Sequence, residues 1–154
     1  MFSPVRNWEQ IRTTICYNDR KVIIAGSHAG ISVGPDGGTH QALEDIAITR
    51  VIPNMTVISP CDSLEAKRAT EIAFTDVITT PTYIRLARDK TAIITTEQTP
   101  FVYGRAELYF LPEDGGTADI VRIGAANFIF DCNKFINNYT ASGFPLFATT
   151  LFPN

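Results

Sequence analysis

Residues 21–41 of the chain have the sequence KVIIAGSHAGISVGPDGGTHQ, and this stretch decides the fold. Its first part, residues 21–25, is a compact β-branched run that is short enough to be a buried strand. The segment that follows, residues 26–39, contains five glycines and one proline, so we predict a loop there. In open α/β sheets, ligands bind where a loop leaves the end of a strand. The stretch therefore predicts a ligand-binding loop on an α/β scaffold.

Apolar residues at helical spacing predict a helix on each side of this loop. The first helix spans residues 7–17, and the second ends before Pro53, because the residue preceding a proline avoids the α region. The second helix is predicted to carry four apolar residues on one face: Leu43, Ile46, Ala47 and Val51. A third helix is predicted from Asp62 to about Phe74, since Asp62 and Glu65 match a capping box.

Two further apolar runs, residues 55–58 and 81–87, have the length and composition of strands. Helices and strands thus alternate along the chain with short links, which is typical of a parallel α/β sheet. We predict an α/β fold with a three-layer parallel sheet and helices on both faces. The sheet is expected to be incomplete.

The composition predicts three regions along the chain. Residues 1–90 are expected to form the partial α/β core. Residues 91–118 are rich in Thr, Pro and Gly and predict a linker with short extended pieces, including a hairpin strand at 104–110. Residues 119–154 contain a predicted strand followed by a predicted helix, which would be the beginning of a second α/β domain.

The charge and the cysteines exclude several classes of protein. With a net charge of −3 the chain has no basic field for nucleic acid or an anionic membrane, and no apolar run approaches the roughly 20 residues of a membrane helix. The three cysteines, Cys16, Cys61 and Cys132, form no metal-binding pattern, so we expect reduced thiols, no metal site and a cytoplasmic location.

The only two histidines of the chain are His28, in the predicted loop with Asp36, and His40, directly after the loop. A neutral imidazole can hydrogen-bond to a polarised oxygen or transfer a proton. His40 precedes the next helix, whose positive dipole end would disfavour an imidazolium. Asp36 can accept a hydrogen bond from a sugar hydroxyl. These residues alone leave two interpretations open: a polar-ligand site, or structural histidines with a turn-forming aspartate.

Four motifs, taken in order, resemble the pyrimidine-binding domain of transketolases. They are Trp8-Glu-Gln-Ile-Arg12, Gly26-Ser-His-Ala-Gly30, Gly34-Pro-Asp-Gly-Gly-Thr-His-Gln-Ala-Leu-Glu-Asp45 and Ile52-Pro-Asn-Met-Thr-Val-Ile-Ser-Pro-Cys-Asp62. The resemblance is densest over residues 8–62 and continues to Arg88. The third motif is specific to thiamine-diphosphate enzymes of the transketolase type. Deoxyxylulose-phosphate synthases share its core, but the first motif is more similar to transketolases, especially those split into two subunits.

The resemblance implies transfer of a two-carbon ketol unit between phosphorylated ketose and aldose sugars in the pentose phosphate pathway. The implied cofactors are thiamine diphosphate and Mg²⁺ or Ca²⁺. His40 matches the catalytic histidine that faces the cofactor, and Asp36 the carboxylate that binds a donor hydroxyl. His28 and Arg88 match residues that hold the sugar phosphate, and Phe2 lies near the aromatic residue that packs on the cofactor's pyrimidine ring. For Arg88, a surface arginine at a strand end remains an alternative.

The family's activating glutamate and its domain for the diphosphate and metal have no counterpart in these 154 residues. Since the family's site lies at a dimer interface, the resemblance implies a homo-oligomer or a complementary transketolase subunit. The isolated chain is expected to bind thiamine diphosphate weakly or not at all. Two alternatives stay open: a non-catalytic remnant or interaction module of the same fold, and a deoxyxylulose-phosphate synthase-like enzyme.

Overall fold

The structure is a computed structural model that describes residues 2–90 and 92–105. Residues 92–105 contain turns but no helix or strand. The strand and helix predicted within residues 119–154, Cys132, and nearly all of the hairpin strand predicted at 104–110 lie outside the described residues.

In the described part of the chain, three parallel strands form the sheet: β1 (Ile23–Ala29), β2 (Thr56–Ile58) and β3 (Thr82–Ala87), in the order β1-β3-β2. Thr82 is in register with Ile23 on one side and with Thr56 on the other. The first four residues of β3 are buried, as expected for a central strand with both faces covered. The predicted parallel α/β sheet is confirmed.

Helices lie before the sheet and in the connections between strands. Helix α1 (Trp8–Gln10) continues directly into a π-helical segment (Ile11–Cys16). Helix α2 (Asp45–Arg50) lies between β1 and β2, and α3 (Ser63–Phe74) lies between β2 and β3. Parallel strands require such crossover connections, because a tight turn cannot join them.

Two apolar clusters show that the sheet is covered on both faces. Val57 packs in a cluster with Ile11, whereas its neighbour Ile58 packs in a second cluster with Ala69 of α3. Successive residues of a strand point to opposite faces, so the two clusters lie on opposite sides of the sheet. The predicted three-layer arrangement is therefore confirmed.

Strand β1 is longer than predicted. It ends at Ala29, whereas the sequence pattern placed residues 26–39 in a loop. Gly26 still pairs in register with Arg85 of β3, and Ala29 pairs with Ala87 beyond an irregularity in the ladder. Glycine is a loop signal in sequence, but here it allows close packing within a strand.

The face predicted for the second helix is wrong. Leu43 and Val51 lie outside α2 and are 60% and 65% exposed, whereas Asp45 and Thr49 of α2 are fully buried. The inward face is polar because Tyr83 and Arg85 of β3 donate hydrogen bonds to Asp45. A pattern that scores only apolar residues cannot detect a buried ion pair.

The predicted start of α3 is confirmed, and its capping residue also makes contacts farther along the chain. The Asp62 side chain accepts a hydrogen bond from the Glu65 backbone N–H at 2.9 Å. Its other oxygen accepts from the backbone N–H groups of Ile94 and Thr95 at 2.9 and 2.8 Å. One buried carboxylate therefore caps α3 and fixes the segment that follows β3.

Arg68 of α3 holds the same segment at a second point. Its guanidinium donates to the backbone carbonyls of Thr96, Glu97 and Thr99 at 2.9, 2.8 and 2.6 Å. Five N–H donors in a rigid fork suit an arginine to such multiple contacts. Residues 94–99 are therefore bound to α3 and its capping residue by specific hydrogen bonds.

We expect Asp62→Asn to lower the free energy of unfolding at pH 7 by about 2 kcal/mol, because an amide NH₂ cannot accept the bonds made to the carboxylate. Burial raises the pKa of Asp62, but hydrogen bonds from Glu65, Thr95 and Ile94 outweigh it and hold this pKa below its ordinary value of 3.8. The contribution is therefore complete above pH 3.8 and is lost as the pH falls through the lower folded-state pKa.

Urea unfolding at a series of pH values measures this difference. The exposed Asp76→Asn is the matched control and should leave the unfolding free energy nearly unchanged. Equal stabilities of the Asp62→Asn variant and the unmodified protein at pH 7 would contradict the assigned role.

Candidate functional site

The glycine-rich loop leaves the carboxyl end of β1, at the edge of the parallel sheet where ligands bind in open α/β folds. Its base is closed by a hydrogen bond from the Gly30 N–H to the Ala42 carbonyl at 2.9 Å. Within it, a 3₁₀ turn spans Gly34–Asp36. Gly34 and Gly37 both have positive φ, which explains why glycine occupies these positions.

His28 lies in β1 and not in the loop. Its φ is +60°, a left-handed conformation that is uncommon for a residue other than glycine. The ladder between β1 and β3 is irregular between Gly26 and Ala29, and His28 is exposed there. The bulge thus turns His28 out of the regular strand at the carboxyl edge of the sheet.

His40 and Phe2 are brought into contact, although they are far apart in sequence. Their ring centroids are 5.0 Å apart and the ring planes are nearly perpendicular, at 85°. This edge-to-face arrangement is favourable for aromatic rings. Phe2 remains 47% exposed, and the Arg6 guanidinium lies 4.7 Å from its ring centroid.

One ring nitrogen of His40 has a neighbour: Nδ1 lies 2.9 Å from the Thr39 hydroxyl oxygen. Nε2 is the nitrogen left for an external group. The expectation that a helix dipole acts on His40 is wrong, because α2 begins only at Asp45 and the dipole effect is confined to the first turn.

Asp36 and Arg88 lie at other points around the loop. Asp36 is exposed at the end of the 3₁₀ turn. Arg88 follows β3, and its Nη1 is 3.3 Å from both the Ser32 carbonyl and the Asp89 carboxylate. In the described part of the chain no hydrogen bond joins His28, Asp36 and Arg88 to one another. Arg88 nevertheless contacts the loop through Ser32.

A buried polar group that the sequence did not predict lies beside the loop. Asp45 Oδ2 accepts hydrogen bonds from the Tyr83 hydroxyl at 2.9 Å and from Arg85 Nε at 2.8 Å. Burial raises the pKa of Tyr83, the Asp45 carboxylate raises it further, and Arg85 only partly opposes these effects, so Tyr83 stays protonated as a donor. The sequence feature that could have indicated this group is Arg85, a charged residue within an otherwise largely apolar strand.

A cavity of about 490 Å³ lies elsewhere, between the π-helical segment and residues 52–54, which precede β2. Its position at the amino edge of the sheet argues against a role as the ligand site of this fold. Cys16 lines it, and burial followed by the nearby Asp19 raises the pKa of this thiol. A raised pKa makes the thiol less reactive, so Cys16 is not an activated nucleophile.

Two further findings limit what the described residues can do. They include no group of three or more His, Cys, Asp or Glu residues that could hold a metal ion. None of their helices combines the length and the apolar character needed to cross a membrane.

The family model described as "Transketolase, pyrimidine binding domain" matches residues 1–93. The chain belongs to this family. The family match covers the sheet, the glycine-rich loop and all five predicted site residues: Phe2, His28, Asp36, His40 and Arg88. The resemblance seen in the sequence is thereby confirmed.

Two relatives indicate how much of a transketolase is represented. A protein from Methanocaldococcus jannaschii named as a transketolase C-terminal section is 41% identical over 116 residues, which are 74% of this chain and 36% of that protein. The transketolase of Homo sapiens is 34% identical over 110 residues, 71% of this chain and 17% of that protein. The chain thus spans much less than the full length of the relatives it matches.

Solved transketolase structures have the same fold. A split-gene transketolase, described as an inactive β4 tetramer, matches with a TM-score of 0.60 and 37% identity over 70% of this chain and 33% of that chain. The transketolase of Campylobacter jejuni matches with a TM-score of 0.61 and 25% identity over 71% of this chain and 17% of that chain.

The loop geometry predicts a difference between two adjacent glycines. Gly37 has φ 73° and ψ −172°, a region that only glycine adopts readily, and a Cβ on either Gly37 or Gly38 would meet no atom within 4 Å. We expect Gly37→Ala to lower the unfolding free energy by about 1–3 kcal/mol through backbone strain alone. The matched control Gly38→Ala should change it by less than about 0.5 kcal/mol. Equal effects in urea unfolding would show that Gly37 does not keep this conformation.

Proposed function

We propose that this chain supplies the substrate-facing part of a transketolase active site. The reaction is transfer of a two-carbon ketol unit from a phosphorylated ketose to a phosphorylated aldose. The observation that supports it most is the contact of Phe2 with His40 on a glycine-rich loop at the carboxyl edge of the sheet, within a chain of this family. These two residues provide an aromatic surface beside a group that can transfer a proton.

The described residues fit one half of thiamine diphosphate. Phe2 is half exposed beside His40. Its ring therefore offers an apolar surface on which a flat heterocycle such as the pyrimidine ring can pack. No metal-binding cluster exists among the residues that the structure describes, so they do not fit the metal-bound diphosphate. In this proposal a partner chain holds the diphosphate with Mg²⁺ or Ca²⁺. When bound, the cofactor supplies the electron sink for carbon–carbon bond cleavage.

The side chains of this chain position the sugars and move protons. His40, with Nδ1 beside the Thr39 hydroxyl, uses Nε2 to hydrogen-bond a substrate oxygen and to exchange its proton. Asp36, exposed on the loop, accepts a hydrogen bond from a donor hydroxyl. Arg88 and His28 flank the loop and bind the phosphate group, for which a guanidinium has a suitable bidentate geometry.

In this proposal, the chain assembles with a complementary transketolase subunit or with another copy of itself. The matched C-terminal section and the split-gene structure support this view, because both represent only part of a complete transketolase. A cytoplasmic location is part of the same proposal and is supported by the free, buried thiol of Cys16.

For the chain alone, we expect no binding of thiamine diphosphate tighter than about millimolar, because one aromatic wall without a diphosphate site offers few contacts. Isothermal titration of the 154-residue chain with thiamine diphosphate and MgCl₂ measures this affinity. Micromolar binding by the lone chain would contradict the division of the site between chains.

His40 is tested in a reconstituted assembly of this chain with a transketolase chain that binds the diphosphate, supplied with thiamine diphosphate and Mg²⁺. His40→Ala should lower the rate of ketol transfer by about 10²–10⁴-fold, the usual contribution of a proton-transferring side chain. Lys67→Ala, on the exposed face of α3, is the control and should retain full activity.

Two outcomes would replace the proposal. A strict requirement for pyruvate as the donor would identify a deoxyxylulose-phosphate synthase-like enzyme. Cofactor binding by the assembly without turnover of any phosphorylated sugar would identify a non-catalytic member of the family.

A further inference from the structure

A buried network joins β3 to both sides of the glycine-rich loop. Asp45, Tyr83 and Arg85 are respectively 0%, 1% and 3% exposed. Both hydrogen bonds converge on Asp45 Oδ2, and Asp45 Oδ1 has no hydrogen-bond partner among the described residues. The orientation of the carboxylate thus depends on Tyr83 and Arg85 acting on the same oxygen.

The first side of the loop is held through Tyr83. A Cβ added at Gly26 would overlap the ring and hydroxyl of Tyr83, so this ring lies directly against the β1 backbone. Gly26 is also in register with Arg85, and the irregularity that exposes His28 begins at Gly26. The network therefore contacts the backbone just before His28, at Gly26.

The second side is held through Asp45, the first residue of α2. Between His40 and Asp45 the chain passes Ala42, which is buried and bonded through its carbonyl to the Gly30 N–H. A displacement of the Asp45 carboxylate would therefore move the start of α2 and, through this short connection, the His40 side of the loop.

We propose that Asp45, Tyr83 and Arg85 are positioning residues that fix the backbone before His28 and the backbone after His40 relative to each other. The inference rests on the proposed function, in which both histidines contact one substrate. The three residues touch no substrate themselves. They act through the strand and the helix that carry the two imidazoles.

The test uses the spectroscopic signature of the two histidines in the full 154-residue chain. Because the chain contains only His28 and His40, a ¹H–¹⁵N spectrum of imidazole groups contains signals from these two rings alone. The variants His28→Gln and His40→Gln assign them. The diagnostic variant is Tyr83→Phe, which removes the hydroxyl donor and keeps the ring. The control is Ile78→Val, in the apolar cluster on the opposite face of the sheet.

In Tyr83→Phe we expect the imidazole signals of both histidines to shift, because one of the hydrogen bonds that join the two sides of the loop is lost. Ile78→Val should leave both rings unchanged while lowering the thermal midpoint. If Tyr83→Phe leaves both rings as in the unmodified protein and only lowers the thermal midpoint, the network is structural and the proposal is overturned.

Should Tyr83→Phe fail to fold, Asp45→Glu keeps the charge, displaces the carboxylate and gives the same comparison. The unmodified chain offers a further measurement by hydrogen exchange. The Gly30 N–H donates to the Ala42 carbonyl at the loop base, and the Arg85 Nε–H donates to Asp45. If the loop base opens only together with the network, both protons should exchange with solvent with the same opening equilibrium constant. A Gly30 opening constant tenfold larger would show that the loop base opens without the network and would overturn the proposal.

None of these measurements requires turnover. Absence of ketol transfer in the reconstituted assembly would count against the proposed function. It would leave the result for the positioning residues unchanged.

Discussion

The carboxylate of Asp45 is completely buried and accepts hydrogen bonds from two side chains of the central strand. A buried charge is costly unless an opposite charge and hydrogen bonds compensate for it, and removal of one partner from such a pair is strongly destabilising. Helix α2 therefore cannot rotate or slide on the sheet without breaking the contacts with Tyr83 and Arg85. The position of the glycine-rich loop, which ends at this helix, depends on that constraint.

Two glycines around the loop are each required for a separate physical reason. Position 26 is glycine because the Tyr83 ring occupies the space of a side chain there. Position 37 is glycine because its φ and ψ values exclude other residues. These two glycines have different physical causes, one from packing and one from backbone conformation, although the sequence shows only two similar loop signals.

The sequence was sufficient for the features that depend on local patterns. Short β-branched runs identified the strands, and the Asp62 capping box located the start of α3. The motif around His40 identified the family. The sequence did not predict contacts between residues that are distant along the chain. The pairing of Phe2 with His40 and of Asp45 with Arg85 is a tertiary contact, which the periodicity of the sequence does not contain. The inward face of α2 was predicted wrongly for the same reason.

The contacts of α3 with the segment after β3 have a consequence for the choice of fragment ends. The family match stops at residue 93, but Asp62 is bonded to Ile94 and Thr95, and Arg68 to carbonyls as far as Thr99. A chain cut at residue 93 would leave a buried carboxylate and a guanidinium without the main-chain groups they hold. Phe101 and Tyr103, which pack on the second apolar cluster, would also be lost. The unit defined by the family match is therefore shorter than the unit whose polar groups are satisfied.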